Sequence, residues 1–316
     1  MGAGVTGLYA SYCCGLAALK SCVIEAMAAP GGQCRHLYPD KKMYGIPGYA
    51  NIKARDYVAI LVAQCLPHAS NILFDHKVLE ISKDPDGLFD IITNQGAITA
   101  KYVIIATGIG DVVPNVPSSI SGLNTLDNSS NFVQHYCINI NLFDGKDVII
   151  AGGGDSAVDF ALELVRIAKK LTILHRRSEF TCEPSKLIPL RQLVDDNRLT
   201  LMMNTDIIEL EETTEYKHVL VKERESGVVE TLNTDHVIFC YGFLTKQNVI
   251  LGLDTMGLEV SNYSIVVNIE TMETSINNCY AAGDVVTYYG KKKNIVPCFF
   301  EADRAVRSIK SKLDLV

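Results

Sequence analysis

No stretch of this sequence is apolar for long enough to cross a membrane. The longest apolar runs, Tyr57 to Leu66 and Tyr102 to Ala106, fall far short of the roughly 18 residues that a spanning helix needs. The opening residues Met1-Gly2-Ala3-Gly4 lack the basic-then-apolar order of a secretory leader, so a cytoplasmic location is expected. Positive charge is not in excess either: 29 Lys and Arg stand against 36 Asp and Glu, a formal charge of -7. That balance argues against general affinity for nucleic acid, which needs a basic face to displace counterions. The ten cysteines include no C-x-x-C pair, Cys13 and Cys14 being adjacent, so neither a redox dithiol nor a disulfide framework is legible. Reduced, mostly buried thiols behaving as small apolar residues are expected. His and Cys nowhere cluster at metal-ligand spacing, and metal-dependent hydrolysis is disfavoured.

What is present is a soluble-protein composition, 48% hydrophobic and 21% charged over 316 residues, long enough for about two domains with a core each. Two stretches share one pattern of Gly-rich turn, small-residue helix, short β-rich strand and a terminal charge. The first runs from Gly2 through a helix at Leu8–Leu19 to a strand at Ser21–Ile24, ending on Glu25. The second has a strand at Asp147–Ala151, the turn Gly152-Gly153-Gly154, a helix from about Asp155 to Lys169 and a strand at Leu171–Leu174. Ala157, Phe160, Ala161, Leu164, Val165 and Ala168 recur at helical spacing, which gives that helix one apolar face for a sheet. Further strands are read at Lys77–Ser82, Leu88–Thr93, Lys101–Ala106, Lys217–Arg224 and Asp235–Cys240. The polar segments Pro114–Asn131 and Thr245–Asn248 are read as crossings between domains. The expected fold is therefore α/β, with two Rossmann-like dinucleotide-binding domains built on mostly parallel sheets. An FAD domain formed by residues 1–114 and 245–316 would enclose an inserted NADP domain at 115–244.

The first motif is Gly2-x-Gly4-x-x-Gly7. Its glycines allow a tight turn and close approach of backbone to a pyrophosphate, and the following helix N-terminus offers N–H groups and positive potential. Glu25 stands where an acid can bind ribose hydroxyls. Only Met1 precedes Gly2, so the supporting strand, central in a doubly wound sheet, is missing from this sequence. The natural chain is expected to begin upstream by a strand of about 5–6 residues and a lead-in. The second motif, Gly152-x-Gly154-x-x-Ala157 with Asp155 and Ser156 at the helix start, has both flanking elements in place. Its second strand ends in His175-Arg176-Arg177 where an NAD site presents an acid. Two guanidiniums there can hold a 2′-phosphate, so NADP is read over NAD, with a solvated basic turn as the alternative. Ala106-Thr107-Gly108 and Tyr241-Gly242 each close a strand, and Tyr280-Ala281-Ala282-Gly283-Asp284 closes another. After two Gly motifs, an Asp there is placed to accept a hydrogen bond from a flavin ribityl chain.

These motifs in this order resemble the thioredoxin-reductase-like class of pyridine-nucleotide flavoproteins along essentially the whole chain. The middle-domain C-x-x-C of a thioredoxin reductase is absent, since His135-Tyr136-Cys137-Ile138-Asn139-Ile140 holds a single cysteine. Disulfide exchange through a resolving thiol is thereby excluded. Gly31-Gly32-Gln33-Cys34-Arg35-His36-Leu37-Tyr38-Pro39 and Gly152–Asp159 are similar instead to the ferredoxin–NADP reductases of this class. The resemblance implies FAD contacts from Gly2, Gly4, Thr6, Gly7, Glu25, Gln33, Tyr38, Val78, Val112 and Asp284, with Tyr38 stacked on the isoalloxazine. It implies NADP contacts from Gly152, Gly154, Asp155, Ser156, Ala157, His175, Arg176 and Arg177. It also implies a homodimer, and NADPH giving hydride to flavin N5 with single-electron transfer onward to ferredoxin.

Three departures stand out. Glu179-Phe180-Thr181 occupies the place where the class often has another Arg, and Cys298-Phe299-Phe300-Glu301-Ala302 replaces its Gly-Phe before Glu-Ala. The chain also stops at Val316, short of the extension that covers the flavin in this class, so that face is expected to be open or covered by a partner. An acidic ferredoxin would need a local basic patch; Lys291, Lys292 and Lys293, with Lys41, Lys42, Arg304 and Arg307 as neighbours, are the candidates, a merely solvated run being the alternative. The remaining alternatives are a flavoprotein reductase for flavodoxin, a quinone or oxygen, and a non-catalytic nucleotide-binding protein.

Overall fold

Parallel neighbours in a sheet need a long crossover between them, and here the principal crossovers are helices entered through glycine turns. The computed structural model describes residues 1–68, 71–110, 112–123, 126, 130–135, 139–245 and 253–314. Its α-helices are α1 (Val5–Leu16), α2 (Gly32–His36), α3 (Ala54–Cys65), α4 (Asp155–Leu164), α5 (Pro184–Asp195) and α6 (Ile295–Asp314). The chain divides into two units, Met1–Val112 with Thr245–Val316, and Val113–Leu244. Among the described residues no helix is long and apolar enough to cross a membrane.

The second unit is built on a five-stranded parallel sheet. Its spatial order is Val133–Gln134, His236–Phe239, Asp147–Ala151, Lys170–His175 and Thr200–Met203. Asp147–Ala151 is paired on both edges and covered on both faces: Val148 and Ile150 pack with α4, Ile149 and Ala151 with Ile207, Leu210, Val219 and Val221, so all four are buried. Helix α4 lays Ala157, Val158, Phe160, Ala161 and Leu164 against the sheet. It stops at Leu164, short of the expected Lys169, because Ile167 N–H tightens onto Leu164 O and Lys169 N–H is taken by Lys146 O at 2.9 Å, swinging the chain into the next strand. Beside this sheet lies an antiparallel one of Thr205–Glu212, Lys217–Glu223 and Val229–Asn233. The polar stretch read as a crossing belongs largely to this unit: Ile120 is buried in its core, and Ser121 is tied to Ile208 and Leu210 through backbone hydrogen bonds. Most of the other supposed crossing lies outside the described residues.

In the first unit two parallel pairs, Cys22–Ile24 with Asn71–Leu73 and Val103–Ile105 with Cys279–Ala281, flank Met1 and Gly2. Gly2 N–H donates to Ile24 O at 2.7 Å and Ala106 N–H donates to Met1 O at 2.8 Å, so these two residues bridge the pairs. Helix α1 starts at Val5, earlier than read, because the glycine turn opens straight into it. An antiparallel sheet of Val78–Lys83, Phe89–Thr93 and Gly96–Ala100 completes this part of the unit. Its Ile81, Phe89 and Ile91 share a core with Ile105, Tyr280 and the α6 residues Ala305 and Ile309. Both units thus match the mostly parallel α/β expectation, with antiparallel sheets added.

Ile150 has no exposed surface and lies on the doubly paired strand. Ile150→Ala should cost about 2–5 kcal/mol, read as a lowered urea midpoint of the far-ultraviolet dichroism. Ile188→Ala, at a side chain 75% exposed on α5, should move the midpoint by no more than about 0.5 kcal/mol.

Candidate functional site

The first unit carries its polar groups around the turn that opens α1. A β-carbon on Gly7 would collide with the Gly2 carbonyl, and one on Gly2 would lie 2.5 Å from the Ala106 carbonyl oxygen, so the turn tolerates no side chain at either place. Gly4 is the N-cap of α1, which has no side-chain cap and no acid in its first turn. Its orphan N–H groups and positive potential therefore remain available to an anion. Gly31 N–H donates to Ala3 O at 2.8 Å, which lays the Gly31–Gly32 turn against Gly4. Glu25, buried at the end of its strand, accepts from Ala3 N–H at 2.6 Å and Met27 N–H at 2.9 Å. Gln33 lies by Gly108, and Gly283 fits against Thr6 with no room for a β-carbon. One oxygen of Asp284, Oδ1, is buried without a hydrogen-bond partner. Such an atom is costly unless a ligand supplies a donor. Tyr38 is half-buried, and desolvation, with Cys34 and Asp284 adding to it, raises its hydroxyl pKa, so it remains a neutral aromatic. An uncapped helix, a buried acid at the strand end and an orphan carboxylate oxygen fit the diphosphate, ribose and ribityl parts of FAD.

In the second unit Gly154 caps α4, again with no side-chain cap. Gly152 backs onto the Cys240 carbonyl, and Thr181 N–H donates to Gly153 O at 2.8 Å. Ser156 is exposed at the helix start while Ala157 is fully buried. Arg176 and Arg177 are exposed and line a cleft of ≈ 520 Å³ with Phe180, Thr181, Asn204 and Arg224. Asn204 and Arg224 were not legible as site residues. They arrive from two other turns, joined by Asn204 N–H to Arg177 O and Arg224 N–H to Asn204 O. Arg224 also grips Asp206 through Nε and Nη2, at 2.5 and 2.9 Å. Glu179 and Glu225 line the cleft too, and its Thr181 joins it to the Gly153 turn; the exposed guanidiniums fit the phosphate of a phosphorylated dinucleotide.

The chain is similar to known proteins along almost its whole length. A family model described as pyridine nucleotide-disulphide oxidoreductase matches residues 50–283. The ferredoxin–NADP reductase of Halalkalibacterium halodurans is 36% identical over 315 residues, covering 99% of this chain and 92% of its own length. That of Anaplasma phagocytophilum is 35% identical over 315 residues, covering 99% and 91%. The chain belongs to the ferredoxin–NADP reductase family. Among solved structures, T. acidophilum thioredoxin reductase shares the fold with a TM-score of 0.82 at 23% identity, covering 99% of this chain and 97% of that one. The family resemblance drawn from the glycine motifs is thereby borne out, as is the two-domain α/β fold.

Several residues of this pyridine-nucleotide oxidoreductase sit differently from the expectation. The His175 ring is buried under Gly153, stacked on Phe180 at 5.6 Å, with Nε2 2.9 Å from Glu179 O. It is a floor for the glycine turn rather than a phosphate ligand. The Asp155 carboxylate is turned to α5, accepting from Glu183 N–H at 3.2 Å and pairing with Lys186 at 2.9 Å, so only its backbone can serve an anion. Lys291 is not part of a basic surface: its side chain is 4% exposed and paired with Glu301. Lys292 and Lys293 are exposed. Val78 packs on the core that contains Ile24. The side chain of Val112 and the residues Tyr136-Cys137-Ile138 lie outside the described residues. No disulfide joins the described cysteines, and all of these but Cys22 and Cys240 are buried.

Burial lowers the pKa of His175, with Arg177 and Arg176 pushing the same way against the Glu179 carbonyl. The unfolded chain, where a His titrates near about 6.5, then binds more protons than the folded one below that pH. This contribution to stability is present above about pH 6.5 and is lost as pH falls through it. The urea midpoint should drop between about pH 7 and pH 5. His175→Gln, which can still donate to Glu179 O, should make that drop shallower; an unaltered slope would show that His175 is not buried uncharged.

Proposed function

We propose that the first unit holds FAD, the second holds NADPH, and the enzyme passes electrons between NADPH and a ferredoxin. The observation that carries this reading is the chemical difference between two otherwise similar uncapped helix N-termini. One is followed by a buried acid, Glu25, suited to ribose hydroxyls, and the other by exposed Arg176 and Arg177, suited to a 2′-phosphate. FAD and NADPH are the cofactors of this flavoprotein oxidoreductase. FAD, when bound, supplies the exchange between a two-electron hydride donor and a one-electron acceptor. On this reading Gly2, Gly4 and Gly7 shape the diphosphate cradle, Thr6 and Gln33 border it, Tyr38 offers an aromatic face, and Asp284 receives a ribityl hydroxyl. Gly152, Gly154, Ser156 and Ala157 shape the NADPH turn. No side-chain acid or base is required of the protein for hydride transfer; its work is to position and to screen.

Among the described residues, the cysteines Cys34 and Cys298 do not favour thiol chemistry. Burial pushes the Cys34 and Cys298 thiols up to about 11, so neither is a ready thiolate near neutral pH. For an acidic electron carrier, exposed Lys292 and Lys293 in the first unit supply local positive charge on a chain that is acidic overall. Such charges chiefly raise association rate and make it salt-dependent.

The test is an acceptor assay on the yellow holoprotein under anaerobic conditions. NADPH should support ferredoxin reduction at a kcat/KM at least about tenfold above that with NADH, as loss of one or two charge-assisted contacts implies. Replacing Arg176 and Arg177 together by Ala should remove most of that preference by raising the KM for NADPH. Rapid flavin reduction with no ferredoxin reduction, while flavodoxin or a quinone is reduced, would reject ferredoxin as the acceptor.

A further inference from the structure

A carboxylate with no exposed surface is costly unless its oxygens are paired. Glu301, on the second turn of α6, is such a group, and three donors from the stretch Gly283–Lys291 that precedes the helix meet it. Oε1 accepts from Lys291 Nζ at 2.5 Å and from the Tyr288 hydroxyl at 2.6 Å. Oε2 accepts from the backbone N–H of Gly283 at 2.7 Å. The Lys291 ammonium is itself nearly excluded from water and lies 5.7 Å from the centre of the Tyr288 ring. Gly283 is held from its other side as well. Its φ is +90°, and a β-carbon there would come 2.6 Å from Thr6 Oγ1. The turn is thus clamped between α1 and α6. The residue it presents next is Asp284, whose Oδ1 is buried and unsatisfied.

A surface lysine run would need none of this. A buried ammonium–carboxylate pair is seldom more stabilising than an apolar pair of the same volume, but removing one partner is costly. Here the carboxylate's second oxygen reaches a backbone N–H that fixes where Asp284 starts. A charge-assisted bond is stronger and shorter than a neutral one, so the turn is held more firmly than a neutral acceptor would hold it.

We infer that Glu301, paired with Lys291, is a positioning residue that fixes the Gly283–Asp284 turn so that Asp284 meets the FAD ribityl chain. This rests on the reading that Asp284 holds FAD. Glu301 touches neither cofactor nor substrate; it acts through the backbone of Gly283.

The experiment measures flavin release from the purified holoprotein after dilution, as the rise in flavin fluorescence, with 2′,5′-ADP binding to the second unit as the check on folding. Glu301→Gln should release flavin about tenfold faster or more, the loss expected when a charged hydrogen bond becomes neutral and leaves an ammonium unpaired. Asp284→Ala should also release it faster. The combination of Glu301→Gln with Asp284→Ala should be no faster than Asp284→Ala alone, because a turn with no carboxylate to place gains nothing from being held. A general loosening of α6 would instead multiply the two effects, and multiplication overturns the inference. Wild-type release from Glu301→Gln beside fast release from Asp284→Ala overturns it too, leaving Asp284 as an FAD ligand. Wild-type release from Asp284→Ala removes the underlying reading itself. Should Glu301→Gln fail to bind 2′,5′-ADP, the neutral pair Lys291→Met with Glu301→Gln replaces it in the same cycle, with the same expectation.

Discussion

A β-carbon on Gly7 would strike the Gly2 carbonyl, and one on Gly152 would lie 2.6 Å from the carbonyl oxygen of Cys240. Strand, turn and helix can come this close only where no side chain intervenes, and that closeness leaves the first N–H groups of α1 and α4 uncapped beside a concave turn. The strands and the apolar helix faces hold each of these turns in place, and the charged residues around them act beside the N–H groups that the tight turns leave open. In the second unit the His175 ring completes the constraint by filling the space under Gly153.

Electrostatics then separates two turns that backbone geometry makes alike. A buried acid follows the first, with its oxygens on backbone N–H groups of Ala3 and Met27. Exposed guanidiniums follow the second, and Arg224 joins them in the cleft from a distant hairpin. The same economy of charge operates at Glu301, where one carboxylate ties together Gly283, Tyr288 and Lys291. Most of these groups, such as Glu25 with Ala3 and Glu301 with Gly283, take their meaning from partners beyond a local motif.

That remoteness explains what the sequence revealed and what it hid. Asp147–Ala151 was legible to the residue because a short β-rich run ending at a glycine turn is a local signal. Helix α4 was legible through its spacing, but its end was not, since it depends on Lys169 finding Lys146. Helix α5 escaped because Pro184 and Pro189 break the helical pattern, although the first stands at the helix start where no N–H is needed. Lys291 was misplaced on the surface because three successive lysines look solvated; only the fold brings Glu301 to one of them. Asp155 likewise reads as an NADP contact at the helix start until α5 supplies Lys186. Arg224 and Asn204 carried no local signal at all, being joined to Arg177 only through a chain of backbone hydrogen bonds.

If one chain holds two dinucleotide sites of opposite character, 2′,5′-ADP should occupy one and leave the other undisturbed. The FAD-loaded protein is titrated with 2′,5′-ADP while bound ligand is followed by calorimetry and retained flavin by absorbance. Saturation by a single equivalent, with all flavin retained and 5′-AMP binding far more weakly, is the expected result. Displacement of flavin by 2′,5′-ADP, or equal affinity for 5′-AMP, would show that the two sites are not distinct.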